Sequence, residues 1–281
     1  MPTLPSPLPV RSPLSGLSPV RAGCRRAAAV LASEWIKLRS LRSLPAVLLG
    51  AAVFSVGLAV LVCSDYQARW AGFDPRRRAA FQPVDTNLGY LQLAVLFFGA
   101  LGALAMTSEY GSGLVRSTFA ATPQRGRVLA AKTALVGAVS LPAATALCTV
   151  AFLAGQSRLA APVPRAGLGD PGALRSVLGG ALYLALTALF GLFLGVLVRS
   201  TPVALSALFG IYLVLPVMVN SLPHDALWHH TVPYLPSNLG AALWHTRTTG
   251  LAAPGPALLG LTVYVLLLGA AALAQVRSRD A

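Results

Sequence analysis

Six long apolar segments constrain the fold of this chain more than any other feature of its sequence. Each offers roughly 18–27 apolar residues, and about 20 residues of helix cross the ~30 Å hydrocarbon core of a bilayer. Pro142 and Pro216 fall inside two segments, where packed neighbours can satisfy the carbonyls that proline frees. The pattern predicts an all-α polytopic membrane protein with six transmembrane helices. The approximate spans are 44–63, 88–106, 128–154, 177–198, 203–220 and 256–275.

The composition excludes an ordinary soluble domain. Charged residues make up 11% of the chain, whereas soluble domains carry about 25%. The net charge of +14 is explained by basic residues that flank membrane spans and fix their orientation. We therefore expect membrane lipids, and no nucleic acid, as partners. The three cysteines are widely spaced and predict neither a disulfide framework nor a metal site.

The chain before the first span divides into two parts. Residues 1–24 are rich in proline and lack the apolar core of a signal peptide. They are interpreted as a disordered cytoplasmic tail. The remainder, residues 25–281, is interpreted as one membrane domain.

Residues 25–43 predict a helix that lies in the membrane interface. Leu31, Trp35 and Leu38 recur at helical spacing, and Glu34 and Lys37 form an i,i+3 pair on the opposite side. Several basic residues and a tryptophan suit the lipid headgroup region. The alternative is an ordinary juxtamembrane stretch whose arginines only hold the orientation. The residues assigned to this helix are Glu34, Trp35, Lys37, Arg39 and Arg42.

Six spans place both termini on one side of the membrane. If that side is the cytoplasm, 14 of the 22 Lys and Arg residues fall in inner segments. This bias predicts a multi-pass protein of the cell membrane with both termini cytoplasmic.

The last outer segment, 221–255, is apolar but interrupted by prolines and Gly240. Its apolar stretch VPYLPSNLGAALWHTRTTG (232–250) is too short and too interrupted to span, so a re-entrant or interfacial helix is predicted. Trp228, Tyr234 and Trp244 are expected at headgroup level.

Motifs for catalysis are incomplete. The stretch GRVLAAKT (126–133) falls short of a phosphate-binding loop because position 131 is Ala and because it leads into a membrane span. The chain is therefore predicted to have no ATPase site of its own, and no cofactor is expected. The spans are nearly free of ionisable residues, which argues against a proton-driven carrier.

The outer histidines leave two readings open. His224, His229 and His230, with Asp225, could bind a transition metal. Their spacing matches no known site, and a polar interfacial loop is the alternative. We expect no metal.

Three segments resemble bacterial ABC-2-type transporter permeases. SEWIKLRSLRS (33–43) resembles the segment before the first span of these proteins. MTSEYGSGLVRSTFAATPQRGRVLAAK (106–132) resembles their connector between spans two and three, and YLPSNLGAAL (234–243) their motif before the last span. The matched re-entrant residues are Pro236, Ser237 and Asn238. The sequence departs from many relatives at Leu239 and at Ala241–Ala242.

The resemblance implies a permease that works as a homodimer, or paired with another permease, with a separate ATP-binding subunit. It also implies that the connector contains the coupling helix that contacts this subunit. A short helix from about Ser112 to Ala121 is predicted, stopped before Pro123. Glu109 is expected near its N-terminus or paired with Arg116. The residues assigned to coupling are Glu109, Tyr110, Arg116, Arg125 and Arg127. The alternative is that these charges only keep the connector in the cytoplasm.

The resemblance implies that the chain is the permease subunit of an ATP-driven exporter, and its apolar span walls suit an amphipathic or lipid-like substrate. The alternative function is a non-transporting membrane scaffold or regulator with the same fold.

Overall fold

The computed structural model describes residues 19–41, 43–111, 125–221, 231–247 and 252–278. Several predicted features lie outside these residues. They are the tail up to residue 18, Arg42, the coupling helix with Arg116, Trp228, and the histidines His224, His229 and His230. All secondary-structure elements of the described part are helices, and that part contains no strand.

Several neighbouring helices are joined by connections of a few residues, and residues 157–172 form a longer described connection. We number them α1 (Pro19–Ser40), α2 (Ser43–Arg69), α3 (Pro75–Ala79), α4 (Pro83–Leu88), α5 (Leu91–Gly111), α6 (Arg125–Gln156), α7 (Ala173–Val198), α8 (Thr201–Phe209), α9 (Leu215–Asn220), α10 (Pro236–Trp244) and α11 (Pro254–Ser278). A π-helical segment, Gly210–Val214, joins α8 to α9 without a break in the rod.

Six helical segments in the described residues are long and apolar enough to cross a membrane. Five are built on α2, α5, α6, α7 and α11, and the remaining one is the continuous rod from α8 to α9. The chain is therefore a multi-pass membrane protein, as the six apolar segments predicted. Many large apolar side chains on these helices are exposed, which suits contact with lipid.

The helix bounds differ from the sequence prediction at several ends. α1 begins at Pro19, within the segment 1–24 that was predicted to be a disordered tail. α2 continues past Cys63 to Arg69, where Asp65 and Arg69 form an i,i+4 ion pair of 2.7 Å. Such pairs extend a helix beyond its apolar stretch because they favour helical geometry where hydropathy has already fallen.

Glycines allow α5 and α7 to pack backbone against backbone. A Cβ on Gly102 would overlap the Ala188 carbonyl, and a Cβ on Gly191 would overlap the Gly99 carbonyl. Small residues in membrane helices permit this close approach, and dispersion contacts then hold the pair together. We call this contact the glycine seam, comprising Gly99, Gly102, Gly191 and Gly195. It forms the centre of the bundle, with α6 packed on α7 and α2 packed on α6.

The bundle has two distinct ends. At one end, Thr201 Oγ1 donates to Thr107 Oγ1 at 2.8 Å, which ties the start of α8 to the end of α5. At the other end, Asn87 Nδ2 donates to the Phe152 carbonyl at 3.0 Å, which ties α4 to the end of α6. We call the first the charged end, because it holds the ion pairs described below, and the second the opposite end.

Candidate functional site

Four charged side chains meet at the charged end of the bundle. Lys132 Nζ lies 2.6 Å from Glu109 Oε1 and donates a hydrogen bond to it. The same Nζ lies 2.7 Å from Glu34 Oε2, within ion-pair distance but outside hydrogen-bond geometry. Lys37 Nζ lies 2.5 Å from Glu34 Oε1 and 3.8 Å from Glu109 Oε1. We call Glu34, Lys37, Glu109 and Lys132 the quartet.

Three members of the quartet are shielded from solvent, and the fourth, Lys37, is partly exposed. Glu34 and Lys132 are each 1% exposed, and Glu109 is 6% exposed. Two carboxylates and two ammonium groups balance, so the four charges sum to zero. Isolated buried charges would cost many kcal/mol, which close opposite charges offset. Charged groups of this kind in membrane helices usually face the protein interior and mark functional regions.

Three helices supply the quartet. Glu34 and Lys37 lie one turn apart near the end of α1, Glu109 lies in the last turn of α5, and Lys132 lies in the second turn of α6. Lys132 Nζ is also 3.4 Å from the Ala105 carbonyl, one turn before Glu109. The quartet therefore joins α1 to the two spans on either side of the connector 112–124.

The structure corrects the predicted face of α1. Glu34 and Lys37 form the predicted i,i+3 pair, but Glu34 faces the bundle together with the buried Leu38. Trp35 is 46% exposed and Leu31 37% exposed, so the stripe of Leu31, Trp35 and Leu38 is not one buried face. The reason is that Lys132, on a distant helix, supplies a partner that draws Glu34 inward. Arg39 is exposed.

Glu109 also lies elsewhere than predicted. α5 continues to Gly111, so Glu109 belongs to the span helix and not to a turn beyond it. Lys132, on the next span helix, is one of its partners. The predicted pairing with Arg116 stays untested, because Arg116 lies outside the described residues.

Three other residues assigned to coupling lie on the helices that supply Glu109 and Lys132. Arg127 is exposed in the first turn of α6. Arg125 begins that helix, and its side chain lies outside the described part of the chain. Tyr110 is partly buried, with the Arg199 guanidinium 5.5 Å from its ring centroid. A cation over an aromatic face is attracted to the ring quadrupole.

Arg199 occupies a left-handed conformation, with φ of 58°, in the turn between α7 and α8. Its backbone N–H donates to the Gly195 carbonyl at 3.0 Å and so closes the last turn of α7. This conformation is unusual for a residue other than Gly. The turn thereby sets the Arg199 side chain over Tyr110 at the end of α5.

The predicted re-entrant segment forms α10 at the opposite end. Pro236 and Trp244 are buried, and α10 packs against α7 and α11. Trp244 is 2% exposed, so its side chain packs inside the protein. The reason is that Gly179 lets the Leu243 carbonyl approach α7 closely and so draws this end of α10 inward. Tyr234 is 58% exposed.

Asn238 and Asp85 fix the two ends of α10. Asn238 Nδ2 donates to the Val232 carbonyl at 2.7 Å. Beyond the helix, Asp85 Oδ2 lies 3.1 Å from His245 Nδ1, and Asp85 Oδ1 accepts from the Thr246 N–H at 2.8 Å. Arg175 donates to the His245 carbonyl at 2.6 Å. Sequence reasoning missed these contacts, because they join segments that are distant in the chain.

No cluster of three or more His, Cys, Asp or Glu side chains with metal-binding geometry occurs within residues 19–41, 43–111, 125–221, 231–247 and 252–278. In that part of the chain, His245 is engaged by Asp85. The predicted choice between a metal and a polar loop at His224, His229 and His230 is untested.

Comparison with known proteins does not assign the chain to a family. A scan against protein-family models found no match. A search of curated proteins found no significantly similar sequence. The quartet is therefore the site from which a functional proposal is argued, together with the sequence resemblance stated above.

Proposed function

We propose that the chain is the permease subunit of an ATP-driven exporter in the plasma membrane. It acts as a dimer, with both termini in the cytoplasm, and uses a separate ATP-binding subunit to move an amphipathic or lipid-like substrate. The observation that carries the proposal is the position of the quartet. It joins α1, α5 and α6 at the two points where the chain enters and leaves the connector 112–124.

This position suits the transmission of force. A subunit bound to the connector would push on the end of α5 and the start of α6 together. The ion pair between Glu109 Oε1 and Lys132 Nζ, 2.6 Å apart, links those two helix ends, so the two helices would move as a unit. Glu34 would pass the same displacement to α1. In this proposal Glu109 positions the helices from inside, and exposed Arg127 offers its guanidinium to the partner.

The distribution of charge supports an external energy source. In the described residues, the acidic and basic side chains of the spans lie near helix ends, as Asp65, Glu109, Lys132 and Arg277 do. A carrier driven by protons usually holds ionisable groups farther inside its spans. A nucleotide-driven partner removes the need for such groups.

The test is reconstitution with a candidate ATP-binding subunit from the same genome, chosen by its phosphate-binding loop. The chain and the subunit should co-purify, and vesicles should show ATPase activity stimulated by some members of a panel of amphiphiles. They should also export a fluorescent amphiphile only with hydrolysable ATP. Co-purification without stimulation or transport would favour the scaffold function. Failure of every candidate subunit to bind would contradict the proposal.

A further inference from the structure

A polar cavity of about 180 Å³ lies near the opposite end of the bundle. The start of α5, the middle of α7, the π-helical segment, α9 and α10 enclose it. Its polar wall includes Gln92, Tyr212, Ser237 and Asn238, and its apolar wall includes Val217 and Trp244. At about 30 Å³ per water, this is space for about six waters, the scale of one small headgroup.

Two hydroxyl groups in this wall lack a hydrogen-bond partner among the described residues. They are Tyr212 Oη and Ser237 Oγ, both buried. Tyr212 as a whole is 5% exposed. The adjacent Thr187 hydroxyl donates to the Tyr183 carbonyl at 2.9 Å. A buried polar group without a partner is destabilising because it has lost its hydration, so a ligand that supplies hydrogen bonds here would offset that cost.

The backbone at Tyr212 points to function independently. Residues Gly210–Val214 form a π-helical turn inside an otherwise α-helical rod. Such turns are rare and frequently occur at functional sites, because they widen the helix and redirect side chains. Here the widened turn carries Tyr212 into the cavity wall, where its ring packs edge-on against Phe190 at 5.6 Å.

The charge of the cavity selects the class of ligand. The side chains that line it are amides, hydroxyls, aromatics and aliphatics, with no Asp, Glu, Lys, Arg or His among the described lining residues. A phosphate, carboxylate or ammonium group would lose hydration there without gaining a counter-charge. An uncharged group with several hydroxyls could pair with amides and hydroxyls of the wall.

The surface beside the cavity indicates that the ligand carries an apolar chain. Val217 lines the cavity and is 63% exposed, and the neighbouring Met218 is also 63% exposed. In a membrane this face of α9 meets lipid tails. We propose that the cavity binds the uncharged, hydroxyl-bearing headgroup of a membrane amphiphile, whose acyl chain lies along α9 in the bilayer. The inference concerns binding by the chain alone and does not need an ATP-binding subunit.

The test uses photolabelling of the full chain in phosphatidylcholine nanodiscs. One probe is monoglucosyl diacylglycerol with a diazirine on its acyl chain, and the second is phosphatidylglycerol with the same chain. The glucosyl probe should label peptides of α9 more strongly than the anionic probe. Unlabelled glucosyl lipid should compete, and free glucose at equal concentration should not.

Two variants each remove one of the two hydroxyl groups and so test them separately. Tyr212→Phe and Ser237→Ala should each lower the specific labelling about fivefold, the equivalent of one hydrogen bond. Tyr264→Phe is the control, since it removes a hydroxyl that bonds the Tyr234 carbonyl outside the cavity. Thermal unfolding checks that each variant folds. If Tyr212→Phe is unstable, Ser237→Ala alone decides. Equal or stronger labelling by phosphatidylglycerol, effective competition by glucose, or unchanged labelling of the folded variants would overturn the proposal.

Discussion

Lys132 Nζ lies 2.7 Å from Glu34 Oε2, so the third span holds the N-terminal helix through a buried charge contact. The same ammonium group lies 2.6 Å from Glu109 Oε1. One cation thus serves two carboxylates from two other helices. The consequences of removing it can be measured.

Lys132→Met should lower the free energy of unfolding by about 3–5 kcal/mol. The substitution keeps the length of the side chain but leaves Glu34 and Glu109 in a buried site with Lys37 as the one remaining cation of the quartet. Thermal unfolding of the purified protein in nanodiscs measures the change. Arg165→Met, at an exposed position, is the control and should have little effect. Equal stability of the two variants would show that the quartet does not hold the helices.

A double-mutant cycle should reveal the coupling between Glu34 and Lys132. Glu34→Gln in the Lys132→Met background should cost less than Glu34→Gln alone, because it then removes the surplus negative charge that two carboxylates and one remaining cation, Lys37, leave in the site. The interaction energy should fall in the range of about 0.5–3 kcal/mol that residues in one network show. Strict additivity of the two single changes would contradict the observed contact.

Substitution in the glycine seam should be poorly tolerated. Gly102→Ala places a methyl group on the Ala188 carbonyl, so the helices must separate. We expect a loss of about 1–3 kcal/mol, the usual cost of overpacking. Gly57→Ala is the matched control because its Cβ meets open space in a span helix. Normal unfolding of the Gly102 variant would mean that α5 and α7 are packed more loosely than described.

The proposal gives Glu109 and Arg127 different roles, so substitutions at the two positions should have different effects. Arg127→Ala should weaken retention of the ATP-binding subunit without changing the unfolding temperature, since Arg127 is exposed. Glu109→Gln should lower the unfolding temperature and reduce amphiphile-stimulated ATPase activity, since it disturbs the quartet. Co-purification, unfolding and ATPase assays are compared with Arg165→Ala. If Arg127→Ala binds and stimulates the subunit like the unmodified chain, Arg127 does not contact it.

Reporter fusions test the orientation. A cytoplasmic reporter should be active after Ala281, and a reporter that works only outside the cell should be active within residues 64–87. The expectation rests on the excess of basic residues in the inner segments. Activity of the external reporter at Ala281 would place the C-terminus outside the cell and would contradict the proposed cytoplasmic location of the quartet.

Hydropathy was sufficient to find the six spans, because each carries its own apolar signal. It misplaced the end of the second span, since apolarity falls after Met106 while the helix continues to Gly111. The extension depends on Lys132, which neutralises Glu109 from another helix. A single sequence carries no local signal for such a partner. The Glu34–Lys37 pair was predictable because both residues lie on one helix.

The packing of the spans was harder to predict. Gly191 and Gly195 form a Gly-x-x-x-Gly pattern in an apolar helix, which indicates a close helix contact. This signal could have been recognised, but it does not say which helix is the neighbour. Gly99 and Gly102 identify α5 only once the two backbones are seen together. Trp244 shows the same limit, because an aromatic residue at a predicted membrane border can equally fill a core.

The glycine seam fixes how motion can pass through the membrane. Helices locked by interdigitated backbones cannot roll about their own axes or slide lengthwise without collision, so α5 and α7 behave as one stiff strut. The two helices can still tilt together as one rigid body. If the pair tilts about a point within the bilayer, a small displacement of the α5 end beside Glu109 moves the other side of the pair in the opposite direction. Gln92 and Tyr183, which border the polar cavity, would move with that side.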